Sequence, residues 1–308
     1  MSASYSKIST IVRSYLMVNA LRLKVRIGSV LSPEATLRRA GALFSTPLAS
    51  SRHRARLAPT GDAVESSFEF DGQQIRTYAW GDPQSQPYVL FAHGWSSHGT
   101  RFVPWIDGLR AAGYAVVAFD QAAHGQSTGE RTTLPDFART LLAVGARFGP
   151  AAALVGHSLG GAAAAVALAR GLAAERAILI APAADPVDAV MRFARFIRLP
   201  LRLCRRMIAM FEMTVGEPFA AFQAQYNAPR IGRPALIVHD LDDREVPWSE
   251  GERYARFWSD SRLLSTQGLG HNRIAQDEGV IAAAMRFLRG EVVGDRVVSS
   301  PNLPYGIC

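Results

Sequence analysis

The sequence predicts an α/β fold in which a mostly parallel, twisted sheet is flanked by helices, and two observations support this. From about residue 66, short apolar runs of strand length alternate with longer helix-like segments. The 308-residue chain is also 48% hydrophobic and 19% charged, which is typical of a soluble globular protein with a sizeable core. Alternating strands and helices favour parallel pairing, because each crossover helix lets the next strand run in the same direction.

The expected elements follow in order along this region. Strands are expected at 74–80, 88–92, 114–119, 152–155, 176–180, 235–238 and 262–265. Helices are expected at 100–112, 134–147, 159–172 and 279–288. Residues 185–230 interrupt the alternation and are rich in Met and Arg, which predicts two amphipathic helices broken near Pro200. An insertion of this kind is interpreted as a helical lid over the sheet.

These boundaries divide the chain into four parts. Residues 1–62 are expected to be a basic, helical N-terminal extension that ends in a linker over 49–62. Residues 63–184 and 231–292 form the predicted α/β core, and 185–230 the lid. Residues 293–308 are expected to be a C-terminal tail.

The charge of the chain is unevenly distributed. Its net charge is +8, yet residues 1–60 contain ten Lys or Arg and one acid, Glu34, so the rest of the chain is close to neutral. A nucleic-acid-binding function is therefore not expected of the core. Both lysines, Lys7 and Lys24, lie in the basic segment, so no phosphate-binding Gly-Lys loop exists elsewhere. There is no Gly-x-Gly-x-x-Gly dinucleotide fingerprint either, and no cofactor is expected.

The basic segment allows three interpretations. Residues 8–23 carry apolar side chains at helical spacing with cations between them, as in a helix packed on the body, a membrane-surface helix or an organellar targeting peptide. No window is apolar enough to predict a spanning helix. The two cysteines, Cys204 and Cys308, make no disulfide framework, which suits a reducing compartment. We expect a cytoplasmic protein, with peripheral membrane contact through residues 1–60 as the alternative.

A Gly-x-Ser-x-Gly motif at Gly156–Gly160 carries the predicted chemistry. An apolar run precedes it and an alanine-rich helical stretch follows it, so Ser158 lies at a sharp turn between a strand and a helix. Glycine at positions 156 and 160 removes the Cβ atoms that would clash in such a turn. The motif predicts that Ser158 is a nucleophile.

A serine nucleophile needs a histidine base and a carboxylate that orients it. Of the seven histidines, His271 in Gly268-Leu269-Gly270-His271 is the expected base, because the glycines let its loop reach the serine. The stretch after strand 235–238 supplies several acids. Asp243 is the favoured partner, Asp240 and Asp242 remain alternatives, and Asp185 is a less favoured one.

The segment Phe91-Ala92-His93-Gly94-Trp95 ends a buried strand and offers a tight turn. The backbone N–H groups of Trp95 and Leu159 are predicted to form an oxyanion hole. His93 is interpreted as a structural histidine beneath this loop. No histidine forms a His-x-His or His-Glu-x-x-His pair, so a catalytic metal is not expected.

Together these motifs resemble those of the α/β-hydrolases, in the order Ser158, Asp243, His271. The resemblance covers roughly residues 66–290 and includes His93-Gly94-Trp95, Asp120 to Ser127, Gly156 to Gly160, Asp-Asp-Arg-x-Val-Pro and Gly270-His271. It implies an eight-strand-type sheet and a serine hydrolase. Two departures are Ala123, where the family often has glycine, and Asp240, where it often has glycine after the histidine.

The expected reaction is hydrolysis of a carboxylic ester of small or medium acyl length, through an acyl-enzyme. Met and Phe residues of the predicted lid suit an acyl chain, although they suit packing of the lid equally well. Thioesterases and acyltransferases use the same triad and remain alternatives. A binding protein that has the hydrolase fold but no catalytic activity is a less favoured alternative.

Overall fold

The computed structural model describes residues 2–297, and the side chains from Tyr15 onward. The chain divides into two compact units. The larger unit comprises residues 46–185 and 220–308, and the smaller unit residues 1–45 and 186–219.

The larger unit is built on one eight-stranded sheet. Its strands are β1 (Val64–Phe70), β2 (Gln73–Trp80), β3 (Tyr88–Ala92), β4 (Ala115–Phe119), β5 (Ala153–His157), β6 (Ala177–Ile180), β7 (Ala235–Asp240) and β8 (Ser261–Thr266). Their order in the sheet is β1-β2-β4-β3-β5-β6-β7-β8. β2 pairs antiparallel with both β1 and β4, and every other pairing is parallel. The prediction of a mostly parallel sheet is confirmed.

Helices precede, separate and follow the strands of this unit. They are α3 (Ala49–Leu57), α4 (Val103–Ala111), α5 (Leu134–Phe148), α6 (Leu159–Ala169), α9 (Ala224–Asn227), α10 (Trp248–Phe257), α11 (Gly270–Arg273) and α12 (Glu278–Leu288). The central strands are buried on both faces. In β3, for example, Leu90 packs into one hydrophobic cluster, while Val89 and Phe91 pack into the other. Two cores on opposite faces leave the strand ends as the place for polar side chains.

The smaller unit consists of four helices: α1 (Ser2–Leu31), α2 (Pro33–Ser45), α7 (Pro186–Ile197) and α8 (Leu201–Val215). As predicted, two helices flank Pro200. Val25, Leu37, Val190 and Met207 share one hydrophobic core. The N-terminal extension and the inserted helices, which were expected as separate parts, therefore pack together.

Polar contacts also join the helices of the smaller unit. The Arg22 Nε donates to the carbonyl of Phe196 at 2.8 Å, and Arg206 pairs with Glu34 at 2.6 Å. Several of the Met and Phe side chains that were considered for acyl binding serve this unit's own core, including Met207 and Phe211. Phe196 and Met213 are exposed.

The expected linker over 49–62 is different in the structure. Residues 49–57 form helix α3, which belongs to the larger unit. The Arg52 guanidinium donates to the carbonyls of Ser127 and Gly129, and Arg54 donates to that of Ser96. These contacts fix a serine- and arginine-rich segment that has no apolar periodicity of its own.

None of the helices in the described part of the chain combines the length and hydrophobicity that spanning a bilayer requires.

Candidate active site

The turn that carries Ser158 joins β5 to α6. Ser158 has a φ of 56° and a ψ of −122°, a conformation that is rare and strained for an L-residue. A Cβ at position 160 would lie 2.2 Å from the Ala92 carbonyl oxygen, and one at 156 would lie 2.6 Å from that of Gly160. Both glycines are required because backbone passes directly against them, as the motif predicts. The turn leaves Ser158 half-buried.

His271 lies within hydrogen-bond distance of this serine. Its Nε2 is 2.9 Å from the Ser158 Oγ. His271 is in α11, just beyond β8, and His157 Nε2 donates to its carbonyl at 2.8 Å. The residue before the serine therefore also helps to fix the backbone of the histidine.

Asp243 lies on the other side of the His271 ring. Its Oδ2 is 2.7 Å from His271 Nδ1, and its Oδ1 accepts the amides of Glu245 and Val246 at 2.8 and 2.9 Å. The His239 Nε2 is also near, 3.4 Å from Oδ2, although its closer acceptor is the Val246 carbonyl at 2.9 Å. Burial alone would raise the pKa of Asp243, but hydrogen bonds from His239 and His271 outweigh it and hold the pKa well below its usual value. The carboxylate therefore stays ionised.

Asp240 occupies a different position, although it was an alternative for the same role. Its carboxylate is fully buried and accepts four hydrogen bonds, all at 2.7 to 3.0 Å. The donors are the Thr266 hydroxyl and the amides of Leu269, Gly270 and Asp242. Burial would raise the pKa of Asp240, but these hydrogen bonds lower it below its usual value. Asp240 holds the loop that leads to His271 and does not bond the imidazole.

The two other candidate acids face elsewhere. Asp242 is exposed and its Oδ2 accepts the Gly268 amide at 3.0 Å. Asp185 accepts a hydrogen bond from Gln223 Nε2 at 2.7 Å. Of the four acids considered from the sequence, Asp243 is the one whose carboxylate bonds the His271 ring.

The loop after β3 approaches the serine closely. A Cβ on Gly94 would lie 2.9 Å from the Ser158 Cβ, so only glycine lets this loop come so near. The next residue, Trp95, stands over Phe137 with ring centroids 6.3 Å apart. Leu159 is the first residue of α6, where an amide has no acceptor within the helix. These positions favour the predicted oxyanion hole, whose donors remain a prediction.

Two neutral histidines, His93 and His124, bond the backbone in and beside the loop that follows β3. His93 Nε2 accepts the Gln121 amide at 3.0 Å, and His124 Nε2 accepts the Ser96 amide at 2.9 Å. Each ring therefore carries its proton on Nδ1, facing the carbonyl of Gly94 or of Ala122. Burial lowers the pKa of both histidines to about 3. His93 has the structural role that was expected of it.

A further group of contacts, which no sequence motif predicts, ties α4 and the turn before it to the segment that carries His271. The Arg101 guanidinium donates to the Asn272 carbonyl, and Trp105 Nε1 donates to that of Ala275 at 2.8 Å. Gln276 Nε2 returns a hydrogen bond to the Arg101 carbonyl at 3.1 Å. These residues belong to no motif, because what they bond is backbone distant in sequence.

Among the residues that the structure describes, no cluster of three or more His, Cys, Asp or Glu side chains is arranged to hold a metal ion.

Sequence comparison finds a family match over part of the chain. Residues 83–218, which include Ser158, match the family described as "Serine aminopeptidase, S33". A solved esterase from Rhodococcus sp. ECU1013 superimposes with a TM-score of 0.55 at 18% identity, covering 75% of this chain and all of that one. The chain belongs to the α/β-hydrolase fold superfamily.

Two curated α/β-hydrolase relatives are lipases by name. Monoacylglycerol lipase from Mycolicibacterium smegmatis is 34% identical over 107 residues, which is 32% of this chain and 38% of that protein. Lysophosphatidylserine lipase ABHD12 from Danio rerio is 27% identical over 200 residues, or 59% of this chain and 50% of that protein. The matched regions thus span half or less of the length of these relatives.

Proposed function

We propose that this α/β-hydrolase is a serine hydrolase that cleaves carboxylic esters with a small or medium acyl group. The observation that carries the proposal is the continuous line of contacts from the Ser158 Oγ to the His271 ring and on to the Asp243 carboxylate. Three groups in this order supply a nucleophile, a base and a group that orients the base.

In the first step the Ser158 Oγ bonds to the ester carbonyl carbon while His271 Nε2 takes its proton. The carbonyl oxygen becomes an oxyanion, which the amides of Leu159 and Trp95 stabilise. The bond to the alcohol oxygen then breaks, and the alcohol leaves with the proton from His271. An acyl-Ser158 ester remains.

In the second step His271 removes a proton from water, and the water oxygen attacks the acyl carbon. The bond to the Ser158 oxygen breaks, the serine regains its proton from His271, and the carboxylic acid leaves. Throughout, the Asp243 carboxylate accepts a hydrogen bond from the Nδ1–H of His271, which fixes the tautomer and stabilises the imidazolium that forms at each step.

The names of the two curated relatives guide the choice of substrate. Both refer to lipids that carry a single acyl chain. A monoacylglycerol and a lysophospholipid therefore belong beside short and medium p-nitrophenyl esters in the substrate panel. The predicted role of residues 185–230 as a lid that selects the acyl group is part of the same proposal.

The decisive experiment combines labelling with turnover. A fluorophosphonate probe should label the wild-type protein and not Ser158→Ala, and the wild type should hydrolyse at least one ester of the panel. A folded wild-type protein that neither labels nor hydrolyses any ester would overturn the proposal and favour the binding-protein alternative. Labelling without ester hydrolysis, but with release of a thiol from an acyl thioester or with acyl transfer to an added alcohol, would assign the thioesterase or acyltransferase alternative.

A further inference from the structure

From Tyr15 onward, where the structure describes its side chains, helix α1 is apolar on two opposite faces. One of these faces serves the core of the smaller unit. Val25 is buried in that core and Leu21 packs against it. On the other face Leu23 is 58% exposed, and Val30 and Leu31 are each 75% exposed. A large outward-facing apolar surface of this kind is unusual for a soluble protein and indicates a binding partner.

The outward residues form a continuous stripe. At about 100° per residue, Leu16, Leu23, Ile27, Val30 and Leu31 fall within an arc of about 100° on the helix. Leu16 to Leu31 spans about 22 Å along the axis. We call these five residues the α1 stripe, and all of them are at least half exposed.

Positive charge flanks the α1 stripe. Lys24 and Arg26, both exposed, lie on its two sides, each about 70 to 90° from the stripe's centre line. The smaller unit also carries other exposed arginines, which raise its overall positive charge, at positions 38, 39, 195, 198 and 205. Glu34, the one acid among residues 1–60, is paired with Arg206.

We propose that the α1 stripe docks on the surface of an anionic lipid bilayer. Its apolar side chains enter the boundary between headgroups and acyl chains, while Lys24 and Arg26 remain at the level of the anionic headgroups. A second copy of the chain fits the α1 stripe less well, because two such faces would bring their flanking cations together. This places the peripheral membrane contact, one of the alternatives for residues 1–60, on one face of residues 16–31, and it does not depend on the proposed catalytic function.

Vesicle co-sedimentation of the full chain tests the proposal. We expect binding to phosphatidylcholine vesicles that contain phosphatidylglycerol, and much weaker binding to phosphatidylcholine alone. The double variant Leu23→Glu, Ile27→Glu should abolish binding. The double variant Lys24→Gln, Arg26→Gln should weaken binding to anionic vesicles roughly 25-fold, because each cation near an anionic surface contributes about a fivefold gain.

Val64→Glu is the matched control, since Val64 is an equally exposed apolar residue in the larger unit. It should bind vesicles like the wild type, and all variants should retain their circular dichroism spectra. Equal binding by the wild type and Leu23→Glu, Ile27→Glu overturns the proposal, as does equal binding to neutral and anionic vesicles. A wild type that ignores vesicles but dimerises in light scattering, with Leu23→Glu, Ile27→Glu monomeric, would instead assign the α1 stripe to a second copy.

Discussion

Ser158, His271 and Asp243 form a line of side chains that bond one another. This line differs in kind from the surrounding layer of supporting residues, which are Asp240, His93, His124, Arg101 and Trp105. In the line, each side chain bonds another side chain. In the surrounding layer, polar side chains bond mainly backbone: Asp240 accepts amides of the His271 loop, and His93 and His124 accept amides beside the serine. In the proposed reaction the line moves protons, whereas the layer fixes the positions between which they move.

The difference is sharpest within one loop. Asp240 and Asp243 are three residues apart, both are buried, and hydrogen bonds lower the pKa of each. Yet one carboxylate bonds the imidazole of His271 and the other bonds the backbone that leads to it. We therefore expect these two ionised carboxylates to have separable effects on catalysis, which substitution can distinguish.

The largest effect is expected at the reacting end of the line. Ser158→Ala removes the nucleophile and should lower kcat for ester hydrolysis by roughly 10⁶-fold, with little change in the free energy of unfolding. Stopped assays with p-nitrophenyl esters, beside denaturant unfolding, measure both. Full activity in the alanine variant would show that another residue attacks the substrate.

Asp243→Asn tests the far end of the line. The asparagine can still accept the amides of Glu245 and Val246 through its oxygen, but it presents an NH₂ group to His271 Nδ1 and so favours the wrong tautomer. We expect kcat to fall by roughly 10⁴-fold with KM little changed. Near-wild-type turnover by this variant, together with a loss of that size in Asp240→Asn, would reverse the two assignments.

Asp240→Asn should have a smaller effect, through geometry. The asparagine replaces one carboxylate oxygen by an NH₂ group, which cannot accept a hydrogen bond. That group would face hydrogen-bond donors in either orientation, namely the Thr266 hydroxyl and Leu269 amide or the amides of Asp242 and Gly270, so the loop must shift. A misplacement of about 1 Å costs about 10²-fold in rate, so we expect kcat to fall by about 10- to 100-fold while KM stays within a few-fold. The rate of fluorophosphonate labelling should fall in parallel.

Asp242→Asn is the matched control, because this exposed carboxylate of the same loop accepts one backbone amide, that of Gly268. It should change kcat by less than about threefold. If Asp240→Asn lowered the stability alone and left kcat and the labelling rate unchanged, Asp240 would be a structural residue without influence on His271.

The side chains of the line could be predicted from the sequence, and so could the structural role of His93, whereas the other members of the layer could not. Ser158 and His271 are flanked by glycines that their tight turns require, so both motifs can be recognised in the sequence. Asp243 was one of several acids in a single loop, and the choice among them depends on which carboxylate faces the imidazole. Arg101 and Trp105 gave no signal, since a side chain that bonds a distant carbonyl leaves no local pattern.

The same distinction holds for the fold. The buried parallel strands were predicted because they are continuous apolar runs, whereas β1, Val64–Phe70, was missed because its half-exposed sequence mixes serine and glutamate with phenylalanine. Helix α10, Trp248–Phe257, was also missed, because it carries few apolar residues. Helix α3 lies where the sequence predicts a linker, because what stabilises the helix is Arg52 bonding to the distant carbonyls of Ser127 and Gly129.

The layer also predicts how stability depends on pH. Burial lowers the pKa of His93 and His124 from 6.5 to about 3, so between these values the unfolded chain binds protons that the folded chain does not. The free energy of unfolding must therefore fall as pH falls through this window, by up to about 1.4 kcal/mol per pH unit for each such histidine. Guanidinium denaturation at pH 7 and pH 5 measures the loss, and a free energy of unfolding that is unchanged at pH 5 would contradict neutral, buried histidines.

His124→Gln tests the origin of this pH dependence. The glutamine oxygen can still accept the Ser96 amide, so the variant should reduce the pH dependence of the free energy of unfolding by the contribution of one histidine. That result would assign part of the acid sensitivity to the layer. The Asp243 carboxylate does not contribute between pH 7 and pH 5, because its lowered pKa means that its stabilising contribution is lost only in more acidic solution.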